Sequence, residues 1–291
     1  MTKPRVVSEG AGTLSEGPVW DGQEGRLYWI DIIEGRIYRL DPAAQRQESM
    51  SVGQYVGAVA LRRDEGLVGA LQHGFYLIDF NEGQLKPVAD PEADDPGTRF
   101  NDGACDPQGR FWAGTMSLED TPNAGSLYRL NPDTGVTRVL EGVSISNGIA
   151  WSADSRRMYY IDTPTRRIDV FDVDPDSGDI RNRRPVVSVP EGMGFPDGMT
   201  IDAEGKLWVA LWDGWRVCRW DPDSGELLQE IELPAQRVTA CAFGGPDLQT
   251  LFVTTARLGL SEAERAAQPE AGYVFAVDVG VRGTLKHRFG G

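Results

Sequence analysis

Histidine and cysteine are nearly absent: the 291 residues include two histidines, His73 and His287, and three cysteines, Cys105, Cys218 and Cys241. Two imidazoles cannot build a three-histidine zinc centre or a helical His-Glu-x-x-His motif. The cysteines are far apart, odd in number and form no Cys-x-x-Cys pair. Neither a disulfide framework nor a thiolate metal site is expected, and the reducing cytoplasm is the expected compartment. Positive charge is also short, with 29 Lys and Arg against 44 Asp and Glu, a formal charge of −15. Such a chain lacks the cationic footprint of a nucleic-acid binder and is repelled by anionic lipid. No stretch approaches the roughly 18 consecutive apolar residues of a membrane helix, and the first ten residues hold no apolar signal core. Helical periodicity is almost missing, with residues 261–267 as the one short candidate. There is no Gly-x-Ser-x-Gly elbow, which removes the usual serine hydrolase design.

Glycine, by contrast, is plentiful. Its 35 residues exceed the usual share of roughly 7 % without any low-complexity stretch, so they punctuate ordered structure. Between Asp-Pro, Asp-Gly and Ser-Gly turn pairs lie short runs rich in Tyr, Trp, Val and Ile: residues 26–31, 36–41, 110–114, 126–131 and 206–210. These read as strands. Aligned on Arg26-Leu-Tyr, Arg110-Phe-Trp, Arg157-Met-Tyr and Lys206-Leu-Trp, the segments fall into repeating units. With weaker copies at 56–61 and 238–244, the units start near residues 16, 56, 101, 147, 197 and 239. A period of about 45 residues is that of a four-stranded propeller blade. The sequence therefore predicts an all-β, six-bladed propeller filling residues 1–291 as one domain, with antiparallel blades around a central channel. Closure is expected from a strand at residues 5–7 pairing in the same blade as strands at 273–277 and 284–288. Trp20-Asp21 and Trp220-Asp221 occupy different blade positions and lack the Gly-His partner of a WD40 unit.

The repeat carries a chemical register. Glu16, Asn101, Asn147 and Asp197 each stand five residues before an Asp or Ser that opens a turn, and each is followed closely by Gly. Residues at one position of successive first strands converge on the propeller axis. Two carboxylates and two amides in a narrow channel are costly to desolvate unless a cation joins them. An all-oxygen set suits a hard divalent ion, Ca²⁺ first, with Mg²⁺ and Mn²⁺ alternatives and Zn²⁺ or Fe²⁺ further candidates.

Several motifs occur in a fixed order: Leu14-Ser-Glu16-Gly-Pro-Val-Trp20, Arg99-Phe-Asn101-Asp-Gly103 with Gly109-Arg-Phe-Trp-Ala-Gly-Thr-Met116, Ile145-Ser-Asn147-Gly148, Phe195-Pro-Asp197-Gly198, and Phe243-Gly-Gly-Pro-Asp247 with Thr254-Thr-Ala256. Together they resemble the SMP-30/gluconolactonase/regucalcin-like family of six-bladed propellers over essentially the whole chain. The resemblance implies that Glu16, Asn147 and Asp197 are metal ligands, that Arg99 and Asn101 bind ligand beside the metal, and that Glu119 contacts substrate. It also implies hydrolysis of a sugar lactone. Where relatives often carry a Gly-Gly-Trp-type loop, this chain has Trp212-Asp-Gly-Trp215, so Asp213 is expected to bring an extra carboxylate toward the mouth.

Lactone hydrolysis requires a polarised carbonyl and an activated water. A divalent ion supplies both effects, and Asp197 is the candidate general base. Arg99 and Asn101 orient hydroxyls through their fixed donors and acceptors. Two alternatives share these ligands: a phosphotriesterase-type calcium propeller resembling diisopropylfluorophosphatase, and a non-catalytic calcium-binding or scaffold propeller. Paraoxonase-like propellers add a histidine pair that His73 cannot form. The expected partner is a small sugar lactone, with no nucleic acid and no membrane, the chain being a monomer or a dimer.

Overall fold

The computed structural model describes residues 3–291 and resolves them into six four-stranded antiparallel sheets arranged as a six-bladed β-propeller. Blade 1 consists of Ser15–Asp21, Arg26–Asp31, Arg36–Asp41 and Arg46–Ser51. The inner strands of blades 2 to 5 are Val56–Leu61, Thr98–Cys105, Ser146–Trp151 and Phe195–Ile201. Each is followed in order by its three outer neighbours. Blade 6 takes Arg237–Gly244, Thr250–Ala256 and Phe275–Asp278 from one end of the sequence and Arg5–Val6 from the other. Among the described residues no helix is long and apolar enough to cross a membrane. The α-helix lies at Glu262–Ala267, where Ser261 and Glu264 form a reciprocal capping box.

A radial gradient in the sequence explains the layering. Inner strands such as Ser15–Asp21 and Thr98–Cys105 are buried along their whole length, whereas outer strands such as Arg46–Ser51 and Ile180–Ser188 are largely exposed. Small residues bring neighbouring inner strands together: a Cβ on Gly148 would lie 2.6 Å from that of Met199, and one on Gly198 would lie 2.4 Å from that of Ala240. Further out, aromatic pairs seal the joints between blades, among them Trp208 edge-on to Phe243 at 5.6 Å and Trp112 against Trp151 at 6.1 Å.

Closure differs from the expected arrangement in one respect. The N-terminal strand does pair with Phe275–Asp278, Arg5 opposite Ala276. The segment 284–288, expected as a further strand of that blade, instead crosses the end of the channel where the inner strands finish. Gly283 donates to Leu248 of blade 6 and bridges Asp202 of blade 5, His287 bridges Cys105 of blade 3, and Phe289 exchanges backbone hydrogen bonds with Leu61 and Arg63 of blade 2. Arg288 donates to Asp21 of blade 1 at 2.6 Å. The hydrogen bonds of this segment go to blade ends rather than to a sheet edge. The tail therefore forms a strap across one mouth.

Candidate active site

Every inner strand breaks register with its neighbour near its start, as at Glu16/Val19, Phe100/Gly103, Asn147/Ile149 and Pro196/Met199. A bulge re-aims a side chain that a regular ladder would hold along the sheet, and here it turns Glu16, Asn101, Asn147 and Asp197 toward one cavity. The loops leading into two of these positions are pinned by carboxylates of the adjacent strands. Asp31 accepts from Thr13 N–H at 2.7 Å ahead of Glu16, and Asp162 accepts from Ile145 N–H at 3.0 Å ahead of Asn147.

The cavity, about 640 Å³, opens at the unstrapped mouth. Its floor carries Glu16, Arg99, Asn101, Asn147 and Asp197, while Leu14, Ile33, Tyr55, Met116, Leu118, Phe195, Trp212 and Leu258 make most of its wall apolar. A few convergent polar groups below an apolar wall is the usual form of a small-molecule site. The floor residues are only 4 % to 8 % exposed. Arg99 donates to Asn101 Oδ1 at 2.8 Å, and Asn101 Nδ2 donates to Asn147 Oδ1 at 3.1 Å and to the Ser146 carbonyl at 2.8 Å.

Negative charge is concentrated beneath this floor. Burial first, then the field of Asp102, pushes the Glu16 carboxyl up to about 8. Burial, with the charges of Glu16 and Asp102, raises Asp197 well above the usual carboxylate range. Asp102, also buried, is raised by desolvation, against the field of Lys286 from the strap. Arg99 is lowered to about 10, since burial outweighs the pull of Glu16. Among the described residues, none of the ion pairs includes Glu16, Asp102 or Asp197.

That donor set fits a hard cation: buried carboxylates with no cationic side chain paired to them, beside an amide oxygen. No three His, Cys, Asp or Glu side chains among the described residues form a ligand cluster by themselves. A cation between Glu16 and Asp197 would therefore draw on the Asn147 amide and on water.

The remaining sequence candidates divide between the cavity wall and the surface outside it. Glu119 is exposed, its N–H bonded to Ser117 Oγ, and it does not line the cavity. Its neighbour Asp120, in a left-handed conformation at φ 54°, does, and its field reaches Arg99. Asp213 reaches the wall, but its carboxylate accepts from Gln236 and pairs with Arg237, whose guanidinium lies over Trp212. Trp215 lies outside the lining, 40 % exposed. Sequence reasoning missed Asp102 and Thr163. Asp102 was concealed in Asn101-Asp-Gly103, which reads as a turn; Thr163 belongs to no motif.

The comparisons agree with this architecture. The model of the SMP-30/gluconolactonase/LRE-like region matches residues 14–257. The Bacillus subtilis (strain 168) protein YvrE, whose name assigns it provisionally to the sugar lactone lactonases, is 42 % identical over 96 % of this chain and 95 % of its own. Regucalcin of Xenopus laevis is 41 % identical over 98 % of this chain and 97 % of its own. Among solved structures, a calcium-binding protein, regucalcin, from Agrobacterium tumefaciens str. C58 superposes with a TM-score of 0.94 at 31 % identity, covering 99 % of each chain. With its bulged inner strands, shared register and full-length similarity, the chain belongs to the SMP-30/gluconolactonase/LRE-like family.

Proposed function

We propose that the protein hydrolyses a sugar lactone, an aldonolactone such as D-glucono-1,5-lactone, D-xylonolactone or L-arabinonolactone, to the aldonic acid. The observation that carries this reading is the convergence of Glu16, Asn147 and Asp197 beside the Arg99–Asn101 pair at the floor of one cavity. A relative named among the sugar lactone lactonases, at 42 % identity, supports the choice of substrate class.

Glu16, Asn147 and Asp197 would hold one divalent cation. When bound there, such an ion supplies Lewis-acid polarisation of the lactone carbonyl and lowers the pKa of water. Asp197 is assigned the proton of the attacking water: it is a buried carboxylate at the cavity floor beside the proposed cation position, kept ionised there by the bound cation. Water adds to the carbonyl carbon as one of its protons passes to Asp197; the ring C–O bond then breaks, that proton passes to the ring oxygen to make the hydroxyl, and the new carboxylic acid releases its own proton to solvent. Arg99 and Asn101 offer donors and an acceptor to the substrate's hydroxyls, and the apolar wall limits competing water around them.

The test uses chelator-stripped protein, assayed for acidification on the three lactones with Ca²⁺, Mn²⁺, Mg²⁺, Zn²⁺ or Fe²⁺ restored in turn. Cation-dependent acceleration over spontaneous hydrolysis is the expected result. Cation binding without acceleration on any of the lactones would overturn the enzymatic reading in favour of a calcium-binding propeller, the description carried by the Agrobacterium relative.

A further inference from the structure

The two ends of an asparagine side chain are nearly the same size but opposite in chemistry. One is an acceptor and the other a double donor, and only the neighbours decide which way round it sits. Asn147 can ligate a cation through Oδ1 and repels one through its NH₂ group, so its orientation matters to the site. Its Nδ2 lies 2.7 Å from Thr163 Oγ1, and Thr163 Oγ1 lies 2.8 Å from the carbonyl oxygen of Pro196, next to Asp197. A carbonyl only accepts, so the Thr163 hydroxyl proton goes to Pro196. Oγ1 is then left with lone pairs for Asn147 and must receive an N–H. At the other end a guanidinium, which only donates, directs Asn101 Oδ1 toward Arg99, so that Asn101 Nδ2 points to Asn147 Oδ1. Donation therefore runs one way, from Arg99 through Asn101, Asn147 and Thr163 to Pro196, across blades 3, 4 and 5.

From this geometry we propose that Thr163 is a positioning residue whose hydroxyl locks the Asn147 amide with its oxygen, not its nitrogen, available to a cation shared with Glu16 and Asp197. The proposal rests on the reading of those three residues as cation ligands. Thr163 suits the task because its own place is fixed without the hydroxyl. It opens the 3₁₀ turn Thr163–Thr165, and its N–H bonds the Ile145 carbonyl at 3.1 Å. A change of side chain therefore leaves the turn anchored. The second lone pair of Asn147 Oδ1 stays free even while Asn101 donates to the first.

The experiment compares the full chain as wild type, Thr163→Val, Thr163→Ser, Asn147→Asp and the double variant Asn147→Asp/Thr163→Val. Ca²⁺ affinity is measured by calorimetry on stripped protein, and the Ca²⁺-induced rise in melting temperature serves as a second readout. Thr163→Val, nearly isosteric, should weaken Ca²⁺ binding at least tenfold, and Thr163→Ser should remain within about twofold of wild type. In the Asn147→Asp background both ends of side chain 147 are oxygen, so adding Thr163→Val should change affinity less than about twofold. Wild-type affinity in folded Thr163→Val overturns the proposal, as does an equal loss in both backgrounds, which would mark general loosening. If Thr163→Val does not fold, Thr163→Ala takes its place in the same cycle. Failure of wild-type protein to bind Ca²⁺ or Mn²⁺ overturns the ligand reading itself and this proposal with it, an outcome distinct from the other two.

Discussion

The inner strands and the turns they enter carry buried carboxylates at two levels, and the levels differ in what faces each acid. Near the open mouth, Glu16, Asp102 and Asp197 are buried without an ion-pair partner among the described residues, and their proton affinities are raised. At the strapped end, on the same three blades, Asp21 receives Arg288, Asp106 receives Arg110 and the Trp112 indole, and Asp202 receives Arg219 at 2.8 Å and the Trp208 indole at 2.9 Å. Five residues separate Glu16 from Asp21 and Asp197 from Asp202. The difference lies in the partner. A buried acid enclosed by donors is a brace, and a buried acid left without a cationic side chain is a place for a cation or a proton.

The contrast is tested hardest by exchanging losses between levels. Asp197→Asn should reduce lactone hydrolysis by roughly 10²–10⁴-fold, the usual contribution of a positioned base, while the melting temperature of the stripped protein holds or rises because one member of the buried, unpaired acid cluster is gone. Activity near that of wild type would remove Asp197 as the base. Asp202→Ala should do the opposite. It breaks a buried ion pair and orphans the Trp208 indole, so urea unfolding should show a loss of about 3–5 kcal/mol, with kcat of the folded fraction little changed. Equal stability of the variant and wild type would refute the bracing role.

The third test is one of pH. Glu16 ionises near 4.5 in the unfolded chain and near 8 in the folded, cation-free protein. The folded state therefore holds a proton that the unfolded state has released. Stability from this group is complete below about pH 4.5 and is lost as pH rises through about 8. Melting temperatures of stripped protein should fall between pH 5 and 8, and the slope should flatten in Glu16→Gln. A slope unaltered by that substitution would assign the dependence to other groups.

The upper level is readable because its residues recur at a fixed place in a repeat; spacing alone locates Glu16, Asn101, Asn147 and Asp197. The strands at 26–31 and 36–41 and the helix after Ser261 follow from local alternation, turn chemistry and capping, so they too were legible. What was not legible depends on distant partners. Asp102 is a functional-looking acid only because Glu16 and Asp197 arrive from other blades. Residues 284–288 are expected as a strand of the closing blade, yet the blade ends claim their hydrogen bonds. The direction in which Asn147 points is set by Thr163 and Pro196, which share no spacing rule with it. Glu119 and Asp120 are adjacent acids, and only Asp120, in a left-handed conformation, lines the cavity.

The strap has a consequence in time as well as in space. Arg288 meets Asp21 across 267 positions of chain, and Val274 meets Ser8 across 266. Such contacts carry a loop-closure entropy that is offset only when the ring shuts. During synthesis the first five blades leave the ribosome with the inner strand of blade 1 uncovered on its blade 6 side. Asp106 and Asp202 find their partners within their own blades, whereas Asp21 gains Arg288 only once the strap crosses the channel.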